Sequence, residues 1–373
     1  MSSKRIVLAV TFFLPWLSIF LCAFTLGWSE TWRWLQVSPL EPIFADMRTI
    51  QAGLYAETIG LDAQINNPSD PWQRVMNYPA AWISIADVLN LQVESHFLTF
   101  VLVQIVLFLT SLWLLVTTSP SIVWLPLLSS WSLLLCLERG NNDMLMFSLT
   151  FFALRFQNIM SIVFMTAATL LKLYPILALP AFIRNSKNVK LMIFGCAFAL
   201  LVTANEITNI RSGTPVTTSS SYGSQSLAMW LRESLGLNAP LILISGSLLF
   251  LAFIISLFGI GNSSILRESS DENIENLFIA GGCVYIGTFL LSGNFDYRLI
   301  FLLFCVPFIL TCGNSSLKIL IIFLTLVAMN YSPLVSILGV WGSVANLFAK
   351  IWLLLLLTAI LIGRIFRKLS RNI

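Results

Sequence analysis

Between Ile6 and Trp28 the chain runs without a charged side chain, and it does so again between Phe97 and Val116. At a rise of about 1.5 Å per residue, runs of this length are long enough to cross a hydrocarbon core of about 30 Å. Hydrocarbon offers no partner to backbone N–H and C=O groups, so such runs must be helical. They lack the in/out alternation of barrel strands. The rest of the chain follows suit: 57% of its 373 residues are hydrophobic and 10% charged, where a soluble protein carries roughly 25% charge. The expectation is an all-α polytopic membrane protein, one integral-membrane domain over 1–373 with about 12 transmembrane helices.

The remaining composition narrows the chemistry. The six cysteines all fall in apolar runs and none forms a CxxC, which points to neither a zinc site nor a disulfide framework. His96 is the single histidine, so metal clusters built on several histidines are ruled out. No nucleic-acid partner is expected. Ile6–Trp28 follows Lys4-Arg5 as a signal peptide would, but it is too long for an ordinary signal core and reads as a retained anchor.

The polar segments are few. A first loop, about 29–78, holds Asp46, Arg48, Arg74 and the cluster Asn66-Asn-Pro-Ser-Asp-Pro71, and short interfacial helices are expected in and after it, including Pro79–Leu91. A span over Ile122–Leu137 ends abruptly in Glu138-Arg-Gly-Asn-Asn-Asp143. The run from Ile159 to Ile183 is interrupted by Lys172-Leu-Tyr-Pro175. Lysine at mid-membrane costs about 2.5–3.5 kcal/mol and proline removes a helix hydrogen bond, so a helix break is predicted there. A second loop, about 206–238, is rich in Ser, Thr and Gly. Tyr331–Ala345 reads as interfacial, Leu347–Ile362 as the last span, and 364–373 as a basic tail.

Placing both termini in the cytoplasm gives that side the larger share of the 21 Lys and Arg residues, chiefly through the tail and the Arg184–Lys190 turn. The opposite turn of the same side runs from Arg267 to Glu275. Asp46, the Glu138–Asp143 knot, Lys172, the Ser/Gln loop and Asp296-Tyr-Arg298 then emerge together on the outer face. Carboxylates, basic groups and amides on one side suit a reaction with an anionic leaving group, in which Arg or Lys offsets developing charge and a carboxylate serves as base. Each residue also has a plainer use. Asp46 reads equally as a solvated loop residue, Glu138-Arg139 as a local ion pair, and Asn141, Asn142 and Asp143 as helix caps. Lys172 reads as snorkelling to the interface, Ser224-Gln225-Ser226 as flexible loop, and Asp296 with Arg298 as a pair at a helix end.

Taken in order, Phe44-Ala-Asp-Met-Arg48, Asn77-Tyr-Pro-Ala80, Arg139-Gly-Asn-Asn-Asp143, Leu171-Lys-Leu-Tyr-Pro175 and Ser224-Gln-Ser-Leu227 resemble the polyprenyl-phosphate-mannose-dependent alpha-mannosyltransferases of bacterial envelopes, within the GT-C superfamily. The resemblance covers roughly the first two-thirds of the chain, through motifs that are each short. It implies a GT-C-like helical fold, a polyprenyl-phosphate sugar donor entering from the bilayer, and a glycolipid or glycan acceptor at the outer face of the plasma membrane. It implies Asp46 as catalytic base in an inverting transfer. Lys172, with Arg139 or Arg298, would offset the charge on the leaving phosphate. Substrate binding would fall to Arg48, Tyr78, Asn141, Asn142, Asp143, Tyr174, Ser224, Gln225, Ser226 and Asp296. No cofactor is expected; a divalent metal is compatible with the reaction, although the sequence holds no dedicated cage. The chain departs from the family pattern at Asn141, where glutamine is common, and at Ala80, where a second proline is usual. The rival expectation is a transporter or flippase, which should show matching broken helices in two inverted halves. One break, at Lys172–Pro175, is evident. A non-catalytic scaffold or polymerase subunit is a third reading.

Overall fold

The computed structural model describes residues 3–156, 158–183, 189–257, 271–311 and 313–371, without the side chains at 3–5, 7 and 365–371. Among them the chain is all-helical apart from one two-stranded ribbon. The predicted turn at Arg184–Lys190 lies largely outside the described residues. Of the turn from Arg267 to Glu275, 267–270 lie outside them, Asp271 caps a helix, and 272–275 are the first turn of that helix, Glu272–Leu291.

Among the described residues, four helices are long and apolar enough to cross a membrane: Leu8–Leu26, Glu94–Thr118, Glu272–Leu291 and Val340–Arg364. Two bent pairs, Val189–Val202 with Ala204–Gly213 and Ser315–Met329 with Tyr331–Leu338, raise the number to six if each is one span. At 25 residues the Glu94–Thr118 helix is about 37 Å long, enough to cross with some tilt. The first of these helices leaves Phe20 and Phe24 uncovered, at 67% and 82% exposure, as a lipid-facing surface would. Shorter apolar helices occupy Trp124–Glu138, Ile159–Leu171 and Leu241–Ile255.

The chain divides into two compact units. One comprises Leu17–Leu114 and Leu134–Pro215. In it the Asp143–Phe156 helix packs along Ile159–Leu171, which in turn packs on Val189–Val202. Phe147 meets Phe108 edge to face at 5.2 Å. Ile159–Leu171 stops where the break is predicted: Lys172 adopts an extended conformation (φ −158°, ψ 118°), and a 3-10 helix runs from Tyr174 to Phe182 with proline in its first turn. The first loop is partly helical, over Trp28–Trp34 and Ala45–Thr58, and Ala81–Val88 forms the short helix expected after it.

The other unit comprises Met1–Trp16, Leu115–Leu133 and Val216–Ile373. Here the Ser/Thr/Gly segment is ordered, which its composition does not foretell. Ser221–Gly223 pairs antiparallel with Gly293–Phe295, Gly223 facing Gly293, and Ser224–Leu235 is a helix. Gly223 (φ +119°) is needed because a Cβ there would stand 1.9 Å from the Ser292 carbonyl oxygen. The last span begins earlier than predicted. Gly339 (φ +57°) closes the Tyr331–Leu338 helix, and Val340 starts a helix reaching Arg371, so Tyr331–Ala345 is not one interfacial stretch.

Candidate functional site

The stretch from Pro39 to Arg48 docks against the Glu138–Asp143 turn through backbone groups. Asp46 N–H donates to the Arg139 carbonyl at 2.9 Å, Leu40 N–H to Glu138 Oε1 at 2.8 Å, and Arg139 Nη1 to the Ser38 carbonyl at 3.0 Å. Arg139 also forms an ion pair with Glu138. Phe44 precedes the Ala45–Thr58 helix in the left-handed conformation (φ +64°), and Gly140 faces it in the same conformation (φ +57°). A Cβ on Gly140 would lie 2.8 Å from the Cβ of Phe44, so the two turns approach too closely for any residue but glycine.

This docking fixes Asp46 in the first turn of its helix. Its Oδ2 accepts from Asn141 Nδ2 at 2.5 Å and its Oδ1 from Arg74 Nη1 at 3.1 Å, while 9% of the residue stays exposed. Asn141 is a two-ended spacer. Its Oδ1 accepts from Asp143 N–H at 2.8 Å and from Lys172 Nζ at 3.4 Å. Lys172 forms an ion pair with the wholly buried Asp143, and its ammonium lies 5.1 Å from the ring centre of Tyr78. With 8% exposure Lys172 turns inward rather than snorkelling, so that reading is corrected: a carboxylate 29 residues upstream supplies the counter-charge.

Four of the ordered motifs thus meet within hydrogen-bond or ring contact: those of Asp46, Tyr78, Asn141 with Asp143, and Lys172. Asn142, next to them in sequence, is fully buried, and neither amide atom has a hydrogen-bond partner among the described residues. Tyr174 is half-buried at the head of the 3-10 segment.

Arg48 is placed differently. Two residues along a helix is a rotation of about 200°, which sends it to the face opposite Asp46. There it grips Glu94 with both terminal nitrogens, at 2.8 and 2.6 Å, and stacks on Phe97 at 4.3 Å. A depression of about 260 Å³ opens on this side, lined by Arg48, Gln51 and Tyr55 among others and not by Asp46. The polar atoms of Arg48 are already engaged, on Glu94, Gln51 and the Ile43 carbonyl.

Arg74 and Asp70 were not singled out by sequence reasoning. Asp70 is buried at the turn after Pro68 and accepts from the N–H groups of Trp72 (2.9 Å) and Arg74 (3.1 Å) and from Thr49 Oγ1 (2.8 Å). It also takes Nε and Nη2 of Arg74 at 3.2 and 3.1 Å. Burial pulls the Arg74 guanidinium down, but the Asp70 hydrogen bond and the charges of Asp46 and Asp70 outweigh it and hold it above its ordinary value. The detectable signal was local: an aspartate flanked by Ser and Pro is a common Asx-turn former.

Asp296, Arg298, Ser224, Gln225 and Ser226 lie in the other unit. There Asp296 is fully buried and pairs with Lys350 at 2.7 Å, and Lys350 also donates to the Ser221 carbonyl at 2.9 Å. Arg298 hydrogen-bonds to Asn294, Ser224 Oγ to the Leu290 carbonyl at 3.0 Å, and Gln225 Oε1 accepts from Gly293 N–H at 2.9 Å. The Ser226 hydroxyl is buried without a hydrogen-bond partner among the described residues. These contacts hold the ribbon together, and the flexible-loop reading of 224–226 is corrected accordingly. Asp296's counter-charge comes from the last long helix rather than from its sequence neighbour. Among the described residues, no group of three or more His, Cys, Asp or Glu is placed to hold a metal ion.

In comparisons with known proteins, no family model, no curated protein and no solved structure matches the chain.

Proposed function

We propose that the chain is a membrane glycosyltransferase of GT-C-like architecture with about 12 crossings, against the four to six that the described helices supply by length and composition. It would transfer a hexose, in our reading mannose, from a polyprenyl-phosphate donor to a glycolipid or glycan hydroxyl at the outer face of the plasma membrane, with both termini cytoplasmic. The observation that carries this reading is the Asp46 carboxylate, held on one oxygen by Asn141 and on the other by Arg74, partly exposed, in an otherwise apolar chain. A base for a hydroxyl nucleophile must be fixed, and this carboxylate is, with 12% of its side chain exposed.

In the transfer, the acceptor hydroxyl gives its proton to Asp46 as its oxygen attacks the anomeric carbon. The bond from that carbon to the phosphate oxygen breaks, the phosphate leaves with the electron pair, and configuration inverts. Lys172 and Arg139 are the residues proposed to offset the leaving charge. Each is engaged by an internal carboxylate, Asp143 or Glu138, so that role requires exchanging a protein partner for the phosphate.

The test is direct. Protein in nanodiscs, given polyprenyl-phosphate mannose and a mannoside acceptor, should transfer sugar, and Asp46→Asn should abolish turnover while leaving expression and thermal midpoint unchanged. Turnover near wild type in that variant would refute the assignment. Movement of the donor across a bilayer without covalent transfer would favour a flippase instead.

A further inference from the structure

The Arg74 guanidinium is clamped yet incompletely used. It has five N–H groups. Nε and Nη2 reach Asp70 at 3.2 and 3.1 Å, Nη2 reaches the Ala45 carbonyl at 2.6 Å, and Nη1 reaches Asp46 at 3.1 Å. Those contacts take four donors, and the second N–H of Nη1 has no acceptor among the described residues. That nitrogen is the one beside the Asp46 carboxylate, and the Arg74 side chain is 34% exposed. Its far side rests 4.7 Å from the ring centre of Trp72, so the fork cannot swing away without losing both Asp70 and the stacking. The result is a rigid donor, one-third exposed, next to a rigid acceptor with 12% of its side chain exposed.

We infer that Asp46 and Arg74 together form a recognition site for an uncharged vicinal diol, the acceptor sugar in the transferase reading, on which this inference rests. One hydroxyl donates to the carboxylate while its neighbour accepts from the spare N–H of Nη1. Adjacent gauche hydroxyls on a sugar ring are spaced much as Oδ1 and Nη1 are. The charge balance selects against an anion here. Two carboxylates, Asp46 and Asp70, face one guanidinium, leaving the trio formally negative, so a phosphate finds no net attraction. Arg74 thus sorts the two substrates: it takes the neutral acceptor, and the donor phosphate goes elsewhere. Asp70 is a positioning residue that acts only through Arg74.

The probe is methyl α-mannopyranoside, with binding read by saturation-transfer NMR on the full chain in nanodiscs. Wild type should bind it, inorganic phosphate should not compete, and Arg74→Gln should weaken binding about tenfold or more. Arg74→Lys serves should Arg74→Gln fold poorly: it keeps the charge but loses the fork, and should weaken binding while leaving the thermal midpoint within a few degrees. The same preparations, assayed for transfer from polyprenyl-phosphate mannose, should show the loss as a raised acceptor KM with donor KM unchanged. No wild-type binding, competition by phosphate, or equal binding in the folded arginine variants would each overturn the inference. Arg74-dependent binding with no transfer by wild type would support the diol site and refute the transferase reading alone.

Discussion

Replacing Gly140 by alanine should separate backbone strain from steric exclusion in the contact that sets Asp46. The substitution meets two costs. A left-handed residue with a Cβ costs about 1–2 kcal/mol, and Gly140 sits at φ +57°. The new methyl would also stand 2.8 Å from the Cβ of Phe44, an atom fixed to its backbone, so no rotamer change relieves the overlap. Forcing an extra carbon into a packed site adds about 1–3 kcal/mol, for a total of about 2–5 kcal/mol. Gly60 is the matched control, because it has φ +80° but nothing within 4 Å of a built Cβ. Gly60→Ala should therefore cost only the strain. Thermal midpoints of the two variants in nanodiscs, followed by tryptophan fluorescence, measure the difference. The relief available to Gly140→Ala is for the turns to part, which stretches the Asp46 N–H bond to the Arg139 carbonyl, so any sugar transfer should fall with stability. Equal midpoints for the two variants would show that the turns are not in tight contact, and the account of how Asp46 is fixed would go with it.

Three further outcomes follow from the charged pairs. Lys172→Met strands the buried Asp143 carboxylate and should destabilise by about 3–5 kcal/mol, with Lys172→Met/Asp143→Leu recovering part of the loss; a double variant no better than the single would argue against an interacting pair, as read by thermal midpoint. Lys350→Met should behave likewise toward Asp296, and should also free the 221–223 strand, read as faster amide exchange at Tyr222 and Gly223; unchanged exchange would mean the ribbon stands without it. Arg48→Ala should cost only about 1 kcal/mol in ion pairing, because its partner Glu94 is 55% exposed, and should leave transfer intact; a large loss of turnover would move Arg48 into the site.

What could be read from the sequence, and what could not, divides by the range of the interaction. The break at Lys172 was legible because its causes, a lysine and a proline in an apolar run, lie within four residues of one another. The helix start after Glu138–Asp143 was legible for the same reason, from capping residues adjacent to it. The partner of Lys172 was not, since Asp143 meets it only after two helices pack side by side. Composition misled at 217–226, where Ser, Thr and Gly imply a loose loop. The order there comes from Lys350, more than a hundred residues later, closing on Ser221 and Asp296.

Asn141 shows how the site depends on tertiary contacts as well as on local sequence. In sequence it has an ordinary use as a helix cap, and it fulfils that use, its Oδ1 accepting from the Asp143 N–H. The cap leaves its Nδ2 end pointing the other way, onto Asp46. A capping carboxylate would offer no donor to Asp46 and would set a third negative charge beside Asp46 and Asp143. Serine is too short to reach both. Only an amide can accept at one end and donate at the other, so the residue that ends one turn also orients the proposed base. Asn141→Asp keeps the cap but sets a carboxylate against Asp46 at a fully buried position, so it should lower the thermal midpoint strongly together with any transfer, and Asp46→Asn in the same chain should restore the midpoint. An unchanged midpoint in the single variant, or no recovery in the double, would show that Asn141 does not orient Asp46.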